Sequence, residues 1–143
     1  MSGFVDDYLA YLLARASHLI SSEFHAVVEA SGLSLMEWRV MASLSGKEAL
    51  SIQALADIVL AKQPTVTKLV GRMQDAGWVE RRDAAHDKRQ SLVSLTAAGR
   101  RKVQPLLKQA KAHEAQGVSA LGEAPAPQLK LMLERLIAAH RSA

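Results

Sequence analysis

From Val5 to Ala30 apolar side chains recur at Val5, Tyr8, Leu9, Leu12, Leu13, Ala16, Leu19, Ile20, Phe24, Val27 and Val28. Steps of three and four keep them on one side of a helix. The spacing therefore predicts one long amphipathic helix that reaches past the edge of a small domain. Ser31 and Gly32 end it. Ser34-Leu35-Met36-Glu37 reads as a capping box flanked by the apolar pair Leu33 and Trp38, and it opens a second helix from Leu35 to Leu44 that stops at Gly46. Ser51 opens a short third helix carrying Ile52, Leu55, Ala56 and Val59. Pro64 suits the first turn of a fourth, which runs through Val66, Leu69, Val70 and Met73 and stops at Gly77.

The period then changes. Trp78-Val79-Glu80-Arg81-Arg82 and Leu92-Val93-Ser94-Leu95 read as two short strands, separated by a polar loop from Asp83 to Gln90. Thr96 caps another helix to about Gly117, and Pro105 inside it predicts a kink or a broken turn. Gly122 and Ala124-Pro125-Ala126-Pro127 make a break. A last amphipathic helix carries Leu129, Met132, Leu133, Leu136 and Ile137.

Three helices followed by a two-stranded hairpin with a basic loop is the order of a winged helix-turn-helix. The expected class is mainly α with a small β-hairpin, and the fourth helix is the element that would enter a major groove. Its apolar stripe leaves Thr65, Thr67, Lys68 and Arg72 pointing elsewhere, with Gln63 and Pro64 at its start. Short polar groups and long cations suit base edges and phosphates, and the helix N-terminus offers free backbone N–H groups. A solvated helix face would look similar.

Charge sharpens this picture. The 143 residues hold 18 basic and 14 acidic side chains, a net of +4. Residues 1–61 have a net of −4, residues 62–102 a net of +6, and residues 103–143 a net of +2. A basic block in an otherwise balanced chain is an electrostatic footprint for phosphates, or else a solvated charged face. Within it Lys88 and Arg89 lie in the expected loop. Arg89 suits a narrow minor groove, where negative potential is enhanced. Asp87 would repel phosphate, so its sensible role is to hold the Arg89 guanidinium in place. A surface ion pair of little energetic value is the plain alternative.

The length is that of a single domain with a real core. With no cysteine, disulfides, zinc–cysteine sites, thiol nucleophiles and thiol redox sensing are excluded. Apolar runs are too short for a membrane span, and Asp6 and Asp7 stand where a secretion signal would be basic. A cytoplasmic location is the expectation, with no membrane partner.

Trp38-Arg39-Val40-Met41, the run Gln63 to Val70, and above all Asp87-Lys88-Arg89 through Val93-Ser94-Leu95-Thr96 resemble the MarR family. The wing pattern D-x-R-x-x-x-V-x-L-T is the most specific part. The resemblance implies a homodimeric winged-helix regulator, usually a repressor released by a small ligand. By that likeness Arg89 is the minor-groove residue of the wing and Asp87 its orienter. Residues 34–100 would form the DNA-binding lobe, with 1–33 and 101–143 as dimerisation helices. A two-fold dimer implies a pseudo-palindromic operator on double-stranded DNA. Gly71, where the family often has an acid, and a wing without proline are departures.

The likeness also implies an effector pocket for an aromatic or anionic organic molecule between the dimerisation helices and the lobe. Tyr11, Arg15, His18, Trp38 and Arg39 are candidates, since such a ligand needs an apolar wall and a cation or donor. Trp38 also fits a purely structural place, and Arg39 an ordinary ion pair. For metals there are only the pairs His25 with Glu29, His86 with Asp87 and His113 with Glu114, without a metal-binding spacing, so no cofactor or metal is expected. An enzyme would have to use Asp83, His86, Asp87 and Ser91 in an open polar loop lacking any oxyanion or phosphate-binding device. A winged-helix module for protein contacts, or a metal-responsive regulator, remain the other readings. Steep salt dependence of duplex binding separates DNA binding from protein docking and from catalysis.

Overall fold

The computed structural model describes residues 3–84, 87–122 and 125–141, apart from the side chains of 84 and 87–90. The chain divides into two units, Met1–Lys108 and Gln109–Ala143. The first holds a 3-10 turn at Phe4–Asp6, then α1 (Leu9–Ala30), α2 (Leu35–Leu44), β1 (Leu50–Ser51), α3 (Ile52–Val59), α4 (Gln63–Asp75), β2 (Val79–Ala84) and β3 (Asp87–Leu95). Helix α5 (Ala97–Ser119) begins in the first unit and ends in the second, which also holds α6 (Pro125–Arg141). Among the described residues no helix is long and apolar enough to cross a membrane.

The long first helix starts later than its apolar spacing predicts. Gly3 N–H donates to the Asp6 carboxylate at 2.6 Å, closing a separate turn before α1. A short acidic side chain competes with the helical ladder in this way, which is why Asp6 interrupts a run whose periodicity is otherwise helical. The capping box at α2 forms as expected. Ser34 N–H donates to Glu37 Oε1 at 2.8 Å, and Glu37 N–H donates to Ser34 Oγ at 3.1 Å. Leu33 is buried, while Trp38 packs against Phe24 of α1 with ring centroids 5.4 Å apart and planes tilted by 50°.

Helix α3 packs against α2, α4 and the sheet. Its inward side is Ile52, Leu55, Ala56 and Val59, all buried, and Ser51 Oγ accepts the Ala54 N–H at 3.0 Å. The helix ends on Leu60, which takes a left-handed conformation (φ 60°, ψ 45°) and is 89% exposed.

The sheet departs from expectation in two ways. It has three strands in the order β1-β3-β2, not two, because Leu50 and Ser51 pair with Val93 and Leu92. A two-residue strand carries no alternation to read. The hairpin also extends further. Asp83 and Asp87–Gln90, expected in a loop, belong to strands at the level of the backbone, with a register shift between Asp83 and Ala84. Backbone ladder hydrogen bonds need no apolar pattern, so polar sequence can continue a strand beyond the core.

Two proline expectations are corrected. The broken turn allowed for at Pro105 does not occur, since α5 runs through it as one helix. Val103 and Leu106 on either side are buried and anchor the helix, while Pro105 itself is exposed. The final helix begins at Pro125 rather than after the proline pair. First-turn N–H groups have no helical acceptor, so proline costs little there.

Thr96 joins three elements. Its hydroxyl donates to Gly77 O at 2.6 Å and accepts Gly99 N–H at 2.9 Å, and its N–H donates to Trp78 O at 3.1 Å. The start of α5 is thereby pressed onto the end of α4 and the start of β2. In the second unit Lys130 and Glu114 pair at 2.9 Å on the surface. None of its described residues is buried, and Leu121, Leu131, Met132 and Ile137 are exposed.

Candidate nucleic-acid interface

The orientation of α4 follows from its buried stripe. Val66, Leu69, Val70 and Met73 are all at most 4% exposed. At 100° per residue this fixes where every other side chain on the helix goes. The predicted polar set divides into two faces. Thr65, Lys68 and Arg72, spaced three and four apart, line an open concavity of about 520 Å³ with Gly71 and Asp75. Gln63 and Thr67 turn toward the sheet instead. Pro64 is exposed in the first turn, after Lys62 as N-cap.

Gln63 and Thr67 open onto a smaller cleft of about 160 Å³. Ser51, Ile52 and Gln53 at the start of α3 form a second wall, and Arg81 of β2 and Ser91 of β3 a third. Strand alternation explains the last two. Arg81 pairs with Val93 and Val79 with Leu95, so Arg81 and Ser91 share the sheet face that holds the core residues Val79, Val93 and Leu95. At the outer end of that face apolar gives way to polar. Sequence reasoning left out Ser51, Gln53 and Arg81 as site residues, and weighed Ser91 only in an enzymatic loop. The strand register that brings them together was not legible, although Arg81 already stood in the basic block.

Among the described residues Lys68, Arg72 and Arg81 make no ion pair, so their charge faces outward. Not all of the basic block does so. Lys102 donates to Ser31 O at 2.5 Å at the end of α1 and lies 5.7 Å from the Trp78 ring centroid. Arg100 donates to Leu95 O at 3.3 Å. These two cations tie α5 to its neighbours. Asp87, Lys88 and Arg89 lie outside the described side chains.

The effector candidates occupy separate places in the first unit. Tyr11, Arg15 and His18 are on the exposed part of α1, with Tyr11 40% exposed. Trp38 is half-buried on Phe24, and Arg39 is half-buried on α2. Neither α4 cavity is lined by any of them. Among the described residues no three His, Asp or Glu side chains gather as metal ligands.

Residues 31–90 match the profile of the MarR family. A crystal structure of a MarR family transcriptional regulator from Silicibacter pomeroyi DSS-3 has a TM-score of 0.84 and 37% identity, over 96% of this chain and 98% of that one. The HTH-type transcriptional repressor IacR of Pseudomonas putida is 26% identical over 129 residues, 90% of this chain and 77% of its own length. NadR, solved in complex with 4-hydroxyphenylacetate, has the same fold, with a TM-score of 0.79 and 22% identity over 92% of this chain and 91% of that one.

Proposed function

The chain belongs to the MarR family of transcriptional regulators, and from that membership we propose that it is a homodimeric repressor of a pseudo-palindromic operator, released by a small aromatic or anionic molecule. Its family is one of regulators and not of enzymes, so Asp83, His86, Asp87 and Ser91 have no catalytic role. The observation that carries the DNA-binding half is the division of α4. One stripe is fully buried, and the opposite concavity presents Thr65, Lys68 and Arg72 with both cations free of partners among the described residues. Hydroxyls and long cations there can meet base edges and phosphates in a major groove.

The hairpin supplies the second contact. Arg89 enters the adjacent minor groove, with Asp87 holding its guanidinium and Lys88 meeting phosphate. Dimerisation uses the terminal helices, whose exposed apolar residues support this: Leu9, Leu12, Leu19 and Ile20 on α1, and Leu131, Met132 and Ile137 on α6. Tyr11, Arg15, His18, Trp38 and Arg39 supply effector contacts. The 4-hydroxyphenylacetate carried by NadR is an anionic aromatic of the class proposed. Action on operator DNA places the protein in the cytoplasm.

The experiment is selection of bound duplexes from a random pool, followed by release with a panel of aromatic acids. A recovered palindrome, bound with steep salt dependence and freed by an aromatic acid, is the expected result. Arg89→Ala should weaken operator binding by about 1–3 kcal/mol and relax base preference beneath the wing, whereas Lys68→Ala should weaken all duplexes alike. Arg89→Ala binding as tightly as the parent protein would remove the wing from the interface.

A further inference from the structure

The cleft beside the recognition face has a composition that the groove-reading residues do not explain. Among the described residues that line it Arg81 is the one charged side chain, and Asp83, which pairs with Ser91, is not among them. Ser91, 9% exposed, and Thr67 contribute hydroxyls, and Gln53 and Gln63 contribute amides. The backbone adds to these. Ser51 Oγ takes the Ala54 N–H, which leaves the N–H groups of Ile52 and Gln53, at the positive end of α3, without helical acceptors. Five elements thus converge donors and one positive charge on a volume of about 160 Å³. That volume falls short of the several hundred Å³ typical of an organic effector site, and its lining is polar rather than apolar. A cation would find no carboxylate among the described lining residues. The chemistry fits one small tetrahedral anion.

Position supplies the rest. If α4 occupies a major groove and the β2–β3 hairpin the next minor groove, the DNA strand dividing those grooves must cross the surface between them. The cleft is walled by α4 on one side and by β2 and β3 on the other. Resting on the DNA-binding reading above, we infer that this cleft seats one phosphodiester group of the strand between the two grooves, with Arg81 as its cation and the start of α3 as its floor. The contact carries no base information. It sets the register in which α4 and the wing reach their grooves.

The test uses the full-length dimer and the duplex recovered by selection, with Arg81→Ala and Arg81→Lys. Arg81 is exposed, and melting curves verify that both variants fold like the parent. Removing one phosphate contact should lower the slope of log affinity against log salt by about one and weaken binding about tenfold at low salt, without changing the ranking of operator sequences. Arg81→Lys should keep the slope. A scan of neutral methylphosphonate linkages should find one position per half-site that weakens the parent protein and has no further effect on Arg81→Ala. An unchanged slope together with no linkage coupled to Arg81 would overturn the phosphate seat. Inorganic phosphate provides the other arm. If it raises the melting temperature of the parent but not of Arg81→Ala while operator binding ignores the substitution, the cleft belongs to a free anion and the proposal fails. Recovery of no duplex would instead overturn the DNA-binding reading and this inference with it.

Discussion

Gly71 sits in the middle of α4, where glycine costs about 1 kcal/mol relative to alanine. Among the described residues nothing requires it, since an added Cβ would meet no atom within 4 Å. Its one structural setting is the floor of the open concavity between Lys68 and Arg72. A glycine there leaves room for something approaching from outside. Gly71→Ala should therefore raise the melting temperature by a few degrees while weakening operator binding, as thermal denaturation and titration of one preparation would show. A variant that gains stability and keeps full affinity would mean that DNA does not come close at this point. Leu60 is the complementary case. A leucine at φ 60° carries strain of about 1–2 kcal/mol, and with 89% of its surface exposed it recovers little by burial. Leu60→Gly should stabilise the protein by about 1 kcal/mol in urea denaturation.

The joint between α4, β2 and α5 shows how elements hold the interface in place. A Cβ on Gly99 would stand 2.1 Å from Trp78 O and 3.0 Å from its carbonyl carbon, both backbone atoms that cannot swing aside. The Thr96 hydrogen bonds depend on that approach. Gly99→Ala should cost about 3 kcal/mol in denaturant unfolding, the upper range for overpacking a tight contact. A loss below 1 kcal/mol would show that α5 can lift away freely. Residue patterns carried this region unevenly. The Thr96 cap was legible, because cap chemistry is local. The need for glycine at 99 was not, since the clashing atom belongs to a residue twenty-one positions earlier. The capping box at Ser34 and Glu37 was legible for the same local reason, and β1 was invisible because only β3 makes it a strand.

Among the described residues, most apolar side chains of the first half of α1 and of α6 are exposed. Helix α6 has no buried residue, and Ile137 and Met132 are 58% and 57% exposed. A second copy is the occupant proposed above. Met132→Glu combined with Ile137→Glu should shift sedimentation from dimer toward monomer, with dimer affinity reduced at least about tenfold, because two charges would enter an apolar contact. Operator affinity should fall with it, since one lobe holds only one half-site. A double variant that still sediments as a dimer would free α6 of that role.

Helical periodicity and local caps were sufficient to read α2, α3, α4 and the buried stripe of α4, because those features depend on residues within a turn or two of each other. The absence of cysteine excluded thiol chemistry with no structure at all. The basic block was a coarser guide. Folding turned Lys102 and Arg100 onto backbone carbonyls, left Lys68, Arg72 and Arg81 facing outward, and parted Gln63 and Thr67 from Thr65 and Lys68. Sheet register decided the cleft. It brings Arg81 and Ser91 to the start of α3 across thirty and forty residues of chain, and pairing between strands is a non-local choice that no window of sequence encodes.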